Sequence, residues 1–144
     1  MDLRIKIIMT IVLVLPMFVA MAPNVQHRAC DVNIPTGTWH AETLNGTRGF
    51  FGNNDNVSIE NAGSNQYNIS DFSGGIIAYF GFGNTNPVTI EFDCNAHVLP
   101  SSFDTQFGQC NILDGTWIEE ENSLLLIWEL PASKVSEVTR YSFN

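Results

Sequence analysis

Positive charge is what this chain has least of: six Lys and Arg stand against fifteen Asp and Glu in 144 residues. A surface so acidic repels phosphate backbones, so nucleic acid is not an expected partner. It also lacks the basic patch that would draw the protein to anionic lipid. Cysteine is scarce as well; with three of them, any disulfide leaves one thiol over. The longest apolar run, Ile7 to Ala20, is shorter than the 18 or more residues a spanning helix needs, so no membrane span is expected.

Catalytic signatures are missing too. His27, His40 and His97 lie far apart, outside any H-x-x-x-H or Cys–His cluster. Ser73 in "FSGG" lacks the G-x-S-x-G elbow, and no His–Asp partnership can be assigned to it. "GNNDN" at 52–56 offers oxygen ligands without the spaced carboxylates of a calcium loop and reads as a turn. "IEEE" at 118–121 reads as a solvated strand end. Folding could bring Glu91 and Glu119 together as hydrolysis requires, but any acidic β domain offers that coincidence. Neither an enzyme, a metal nor a cofactor is expected.

What is present begins with an export pattern. Arg4 and Lys6 form a basic head, the apolar run follows, and Ala20 and Ala22 bracket Met21 as a signal peptidase requires. Residues 1–22 therefore read as a cleaved signal peptide, 23–35 as an N-terminal extension and 36–144 as one domain. About 122 residues remain after cleavage, enough for a single core. The protein is expected to be secreted, periplasmic or on the cell surface.

A disulfide fits that compartment. Cys94 and Cys110 flank a loop of fifteen residues, and closing it is worth about 3 kcal/mol in the chain-entropy model. That pairing is favoured among the three available, with Cys30 as the odd cysteine. Cys30 could instead carry a lipid, but "QHRA" before it puts His27 where an aliphatic residue is wanted, so an anchor is not expected.

The remaining sequence reads as short alternating runs punctuated by Gly, Asn and Pro. About eight strands are expected, among them "GTWHAETL", "NVSIEN", "QYNIS", "PVTIEFDC", which "NAHVL" could continue through a bend, "GTWIEEE", "SLLLIWEL" and "EVTRYSF". In "PVTIEFDC", Val88, Ile90 and Phe92 alternate with Thr89, Glu91 and Asp93, a period that only extended chain gives. "SLLLIWEL" is apolar on both faces and should be a central strand; Asn122 before it suits a tight hairpin. The one helical candidate is "DFSGGIIAYFG", where Asp71 or Ser73 could cap a turn. The fold expected is all-β: a single small antiparallel barrel or sandwich. Trp39, Ile69, Ile90, Phe92, Trp117, Leu126 and Trp128 should form its core.

The tripeptide Gly-Thr-Trp occurs twice, at Gly37–Trp39 and Gly115–Trp117. The residues that follow do not match, so the two read as separate strand starts, each a glycine turn followed by a buried ring. The first also resembles the Gly-x-Trp signature of the lipocalins and calycins, which implies a barrel. In that group a late Arg or Lys covers the Trp, a part that Arg140 would take over Trp39 by cation–π contact. From Tyr67 to Phe143 the order of an "ISD" strand end, a glycine-aromatic turn, a cysteine strand, a "DGT" turn and a closing Trp strand is similar to small all-β domains of exported and surface lipoproteins of Gram-negative bacteria. This resemblance implies location and a lipocalin-like barrel rather than an activity.

Two glycine-aromatic stretches carry the functional expectation. "GFFGNN" sets Phe50 and Phe51 beside Asn53 and Asn54; "YFGFGN" sets Tyr79, Phe80 and Phe82 beside Asn84. Ring faces with amide neighbours suit sugar rings or an apolar ligand. Plugging the ends of a barrel is the plainer use of the same rings. The expected function is non-enzymatic binding of a small ligand or glycan through Phe50, Phe51, Asn53, Tyr79, Phe82 and Asn84. The alternative is a structural or protein-interaction domain of the cell surface. The sequons at Asn45, Asn56 and Asn68 matter only in a host that glycosylates them.

Overall fold

In the computed structural model, residues 30–44, 51–80 and 86–143 are described. Residues 1–22, read as a signal peptide, lie outside them, as do His27, Asn45, Phe50, Phe82 and Asn84. Eight antiparallel strands form one sheet in the order β4-β3-β2-β1-β8-β7-β6-β5, rolled into a nearly closed barrel. They are β1 (Gly37–Thr43), β2 (Asn53–Gly63), β3 (Gln66–Ile69), β4 (Val88–Glu91), β5 (Ser101–Thr105), β6 (Gly108–Ile118), β7 (Ser123–Leu130) and β8 (Val135–Phe143). The first strand pairs with the last, Trp39 opposite Phe143 and Thr43 opposite Thr139.

Alternation decides which side chains fill the barrel. Trp39, Ala41 and Thr43 point inward from β1, and Leu124, Leu126 and Trp128 from β7. All seven residues expected in the core are buried. β7 lies between β6 and β8 as its two apolar faces require, with Leu125 and Ile127 half-buried on the outer side. The hairpin before it turns at Asn122, whose φ of 47° is left-handed, the conformation Asn tolerates.

Several expectations are corrected. The disulfide joins Cys30 to Cys94, and Cys110 is the free cysteine, buried inside β6. Loop length alone favoured the pair Cys94 and Cys110, whereas the hairpin of β5 and β6 sets Cys110 opposite Phe103, facing the core. "NAHVL" continues from β4 through a bend, with isolated bridges from Phe92 to Val98 and from His97 to Thr116, and the next strand is Ser101–Thr105, within the stretch taken as a loop. Gly115 does not start a strand: it lies within β6, just past a bulge between Ile112 and Asp114. A Cβ there would come within 2.7 Å of the Leu125 carbonyl oxygen, so glycine serves close backbone approach. Arg140 points outward and donates to the Glu42 carboxylate, its Nε 3.0 Å from Oε1, while Trp39 lies on the inner face against Trp117 and Phe143.

The segment read as an extension is partly barrel. Ile34 joins the core, its amide donates to the Tyr67 hydroxyl at 3.0 Å, and that hydroxyl donates to the Val32 carbonyl at 2.7 Å. Asn65, in the turn between β2 and β3, takes the Val32 amide on Oδ1. Residues 30–36 thus strap the barrel end that carries the β2–β3, β4–β5 and β6–β7 turns, and the disulfide fixes the strap to the β4–β5 turn.

Candidate ligand-binding site

The opposite barrel end is closed by the segment between β3 and β4. Asp71 organises it. Its carboxylate accepts hydrogen bonds from the Ser73 amide and hydroxyl at 3.0 and 2.7 Å, the Gly75 amide at 2.8 Å and Asn54 Nδ2 at 2.9 Å. Gly74 and Gly75 take φ of 59° and 89°, which bends the chain into a single helical turn, α1 (Ile76–Tyr79). Helix was expected here, but neither Asp71 nor Ser73 is its cap residue: that position is Gly75, and the Ser73 hydroxyl takes the Ile77 amide. Phe72 then points into the barrel, edge-on to Trp128 and Phe103 with ring centroids 5.1 Å from each. The Tyr141 hydroxyl, on β8, donates to the Phe72 carbonyl at 2.6 Å. The segment is a plug hydrogen-bonded to the barrel wall.

Beside the plug the wall is open. β4 and β5 leave a tight hairpin joined at its base, where the Leu99 amide donates to the Glu91 carbonyl at 2.7 Å. Beyond that rung no ladder connects them among the described residues, and they are the two ends of the sheet order. The seam holds a cavity of about 400 Å³, within the range of small-molecule sites. Phe72, Ile77, Val88, Phe103 and Phe107 supply its apolar surface. Asn86, Thr89, Ser101, Ser102, Asp104 and Gln106 supply hydroxyl, amide and carboxylate groups. This arrangement can hold an apolar group and orient a polar one. Among the described residues no group of three or more His, Cys, Asp or Glu is placed to bind a metal.

Of the aromatic residues singled out in the sequence, Phe51, Tyr79 and Phe80 do not line this opening. Phe51 is 62 % exposed and Tyr79 67 %, and Tyr79 packs edge-on against Phe80 with centroids 5.7 Å apart. Both belong to the plugged end: a Cβ on Gly52, next to Phe51, would lie 2.4 Å from the Gly74 carbonyl oxygen, in the turn leading to Tyr79. Asn53 is exposed at the start of β2, opposite Glu42. Phe50, Phe82 and Asn84 lie outside the described residues.

The reading of residues 95–109 as a loop hid the cavity's far wall. The signal was there, since Phe103, Thr105 and Phe107 alternate in "SSFDTQFGQC" and Gly108, at φ 99°, marks the turn. Burial, with Glu129 nearby, pushes the Cys110 thiol up to about 12. Burial, with Asp71 nearby, pushes the Tyr141 phenol well above 10.0. Backbone amides of His97 and Asn95 hold the exposed Asp93 carboxyl below 3.8.

Comparison with protein-family models, with curated proteins and with solved structures finds no match for this chain.

Proposed function

We propose that this protein is an exported, non-enzymatic binding domain that receives an apolar group or ring of its ligand, a small apolar molecule or a glycan, in the seam between β4 and β5. The observation that carries this reading is the cavity itself: an aromatic surface between the two ends of the sheet order, rimmed by side chains able to fix hydroxyl groups. Phe51 and Tyr79 expose further apolar surface at the plugged end. Exposed rings of this size forgo roughly 25 cal/mol per Å² of burial, which a bound ligand would recover. Export rests on the basic head, apolar run and Ala-x-Ala of residues 1–22, with a disulfide as the compatible covalent feature.

The test is a glycan and small-ligand screen on three proteins: wild type, Ser101→Trp and Phe51→Ala plus Tyr79→Ala. Ser101 lies on the cavity wall at an exposed position, so an indole there fills the space at little cost to folding. A ligand lost in Ser101→Trp and kept or weakened in the double variant supports the seam. A ligand that binds all three alike, or none at all, defeats the reading and puts the interaction-domain alternative ahead.

A further inference from the structure

The seam is bordered by main chain as well as side chains. Among the described residues, each of the six strands from β3 through β1 and β8 to β6 has a neighbour on both sides, and β4 and β5 have one each. On β4 the direction of the free groups follows from two hydrogen bonds. The Phe92 amide donates to Asn65, on the β3 side, and the Glu91 carbonyl accepts from Leu99, on the β5 side. Alternation along the regular β4 register then turns the backbone of Thr89 towards the seam, while Val88 and Ile90 serve β3. Across the gap, β5 pairs with β6 over its whole length from Ser101 to Thr105, which leaves its other side facing β4. Pro87 and Pro100 flank the opening, and between them lie Thr89 on one edge and a five-residue run on the other.

We infer that the seam also receives, beyond a small ligand, an extended peptide segment of a partner protein, adding as a strand along the free edge of β4 or β5 and placing an apolar side chain in the cavity. This rests on the seam being the binding site. An unpaired strand edge is a template for extended backbone, and a pocket beside it accepts alternate side chains. Charge narrows the partner. The cavity wall carries Asp104 and no Lys or Arg, on a chain whose net charge is −9. A Lys or Arg beside the inserted apolar residue is therefore complementary, and a strand rich in Asp or Glu is not.

The probe is a displayed library of random twelve-residue peptides, selected on the oxidised protein. The most enriched sequence is then made in three forms, one unmodified and two N-methylated at alternate residues in the two possible registers, each of which removes the amide donors along one edge without altering the protein. Enriched sequences should alternate apolar with polar residues and contain Lys or Arg. N-methylation on the pairing edge should weaken binding at least about tenfold, since hydrogen bonds and strand contact are lost together. Asp104→Lys should weaken it several-fold, and binding should slow exchange of the Thr89 amide. Equal affinity of both N-methylated registers and the unmodified peptide overturns the inference. Absence of any enriched peptide overturns it too: if a small ligand sensitive to Ser101→Trp is found, the cavity reading survives alone, and if none is found both fall.

Discussion

Trp39 and Trp117, the last residues of the two Gly-Thr-Trp tripeptides, meet edge to face inside the barrel with ring centroids 5.8 Å apart. The repeat is thus a meeting point in space rather than a duplication in the chain. Trp39 Nε1 is buried without a hydrogen-bond acceptor, so packing alone holds that ring. Trp39→Ala should cost about 3–5 kcal/mol in urea unfolding. A double-mutant cycle with Trp117→Phe should return a coupling of about 0.5–1.5 kcal/mol. Strict additivity would show that the two rings do not support one another.

The cysteine pairing yields a second prediction. Cys30 and Cys94 are 64 residues apart, and the chain-entropy model assigns a loop of that length about 4 kcal/mol. Cys30→Ser and Cys94→Ser should therefore destabilise equally, and the double variant no further. Peptide mapping under non-reducing conditions should find the 30–94 crosslink. In the folded oxidised protein Cys110 should resist alkylation at pH 8, where its thiol is protonated and buried, and react once the protein unfolds. A Cys94–Cys110 crosslink would contradict the fold.

Alkaline stability follows from two raised ionisations. The folded state holds Cys110 up to about 12 and Tyr141 well above 10.0, so each favours its neutral form more in the folded than in the unfolded chain. Their stabilising contributions are complete below the ordinary values of 9.0 and 10.0 and are lost as pH climbs towards the folded values. The melting temperature should fall progressively above about pH 9, and less steeply in Tyr141→Phe. At neutral pH the same variant leaves the Phe72 carbonyl without that donor and should cost about 1–3 kcal/mol.

Gly52 tests the plug. An alanine Cβ at this position would lie 2.4 Å from the Gly74 carbonyl oxygen and 2.6 Å from the Ile76 nitrogen, both backbone atoms. Gly52→Ala should displace the segment, costing about 1–3 kcal/mol. Amide exchange at Gly75 and Ile77 should quicken more than exchange in β7. A change of less than about 0.5 kcal/mol would mean that the plug does not rest on β2 in this way.

Strand alternation was legible because it is local: the apolar residues of "PVTIEFDC" and the first "GTW" announce their own faces. The cavity was not, because it exists where two strands fail to pair, and neither Thr89 nor Phe103 carries a mark of its missing neighbour. Disulfide partners were hidden for a related reason. The cysteines joined are 64 residues apart, brought together by a strap whose anchors, Asn65 and Tyr67, lie in and beside a turn. Arg140 went to Glu42 because its place on β8 points it to the outer face, a direction that depends on register with β1. Exposure of Phe51 and Tyr79 is what a binding role would require of them, but the deeper apolar surface belongs to Phe72 and Phe103, which no motif marks.

Pairing of β1 with β8 also sets a kinetic problem for the nascent chain. Except for that ladder and the strap, the barrel is assembled from strands that follow one another directly, so two separate meanders, β1 to β4 and β5 to β8, can form early. Joining them brings Glu42 to Arg140 across 98 residues, a loop closure whose entropy falls in one step. Substitutions along this ladder, such as Glu42→Gln, should chiefly slow refolding, whereas those in the β6–β7 hairpin should chiefly speed unfolding. The first and last strands act as the clasp of a bracelet, and the time needed to fasten it is the time during which the free edges of both halves are open to aggregation.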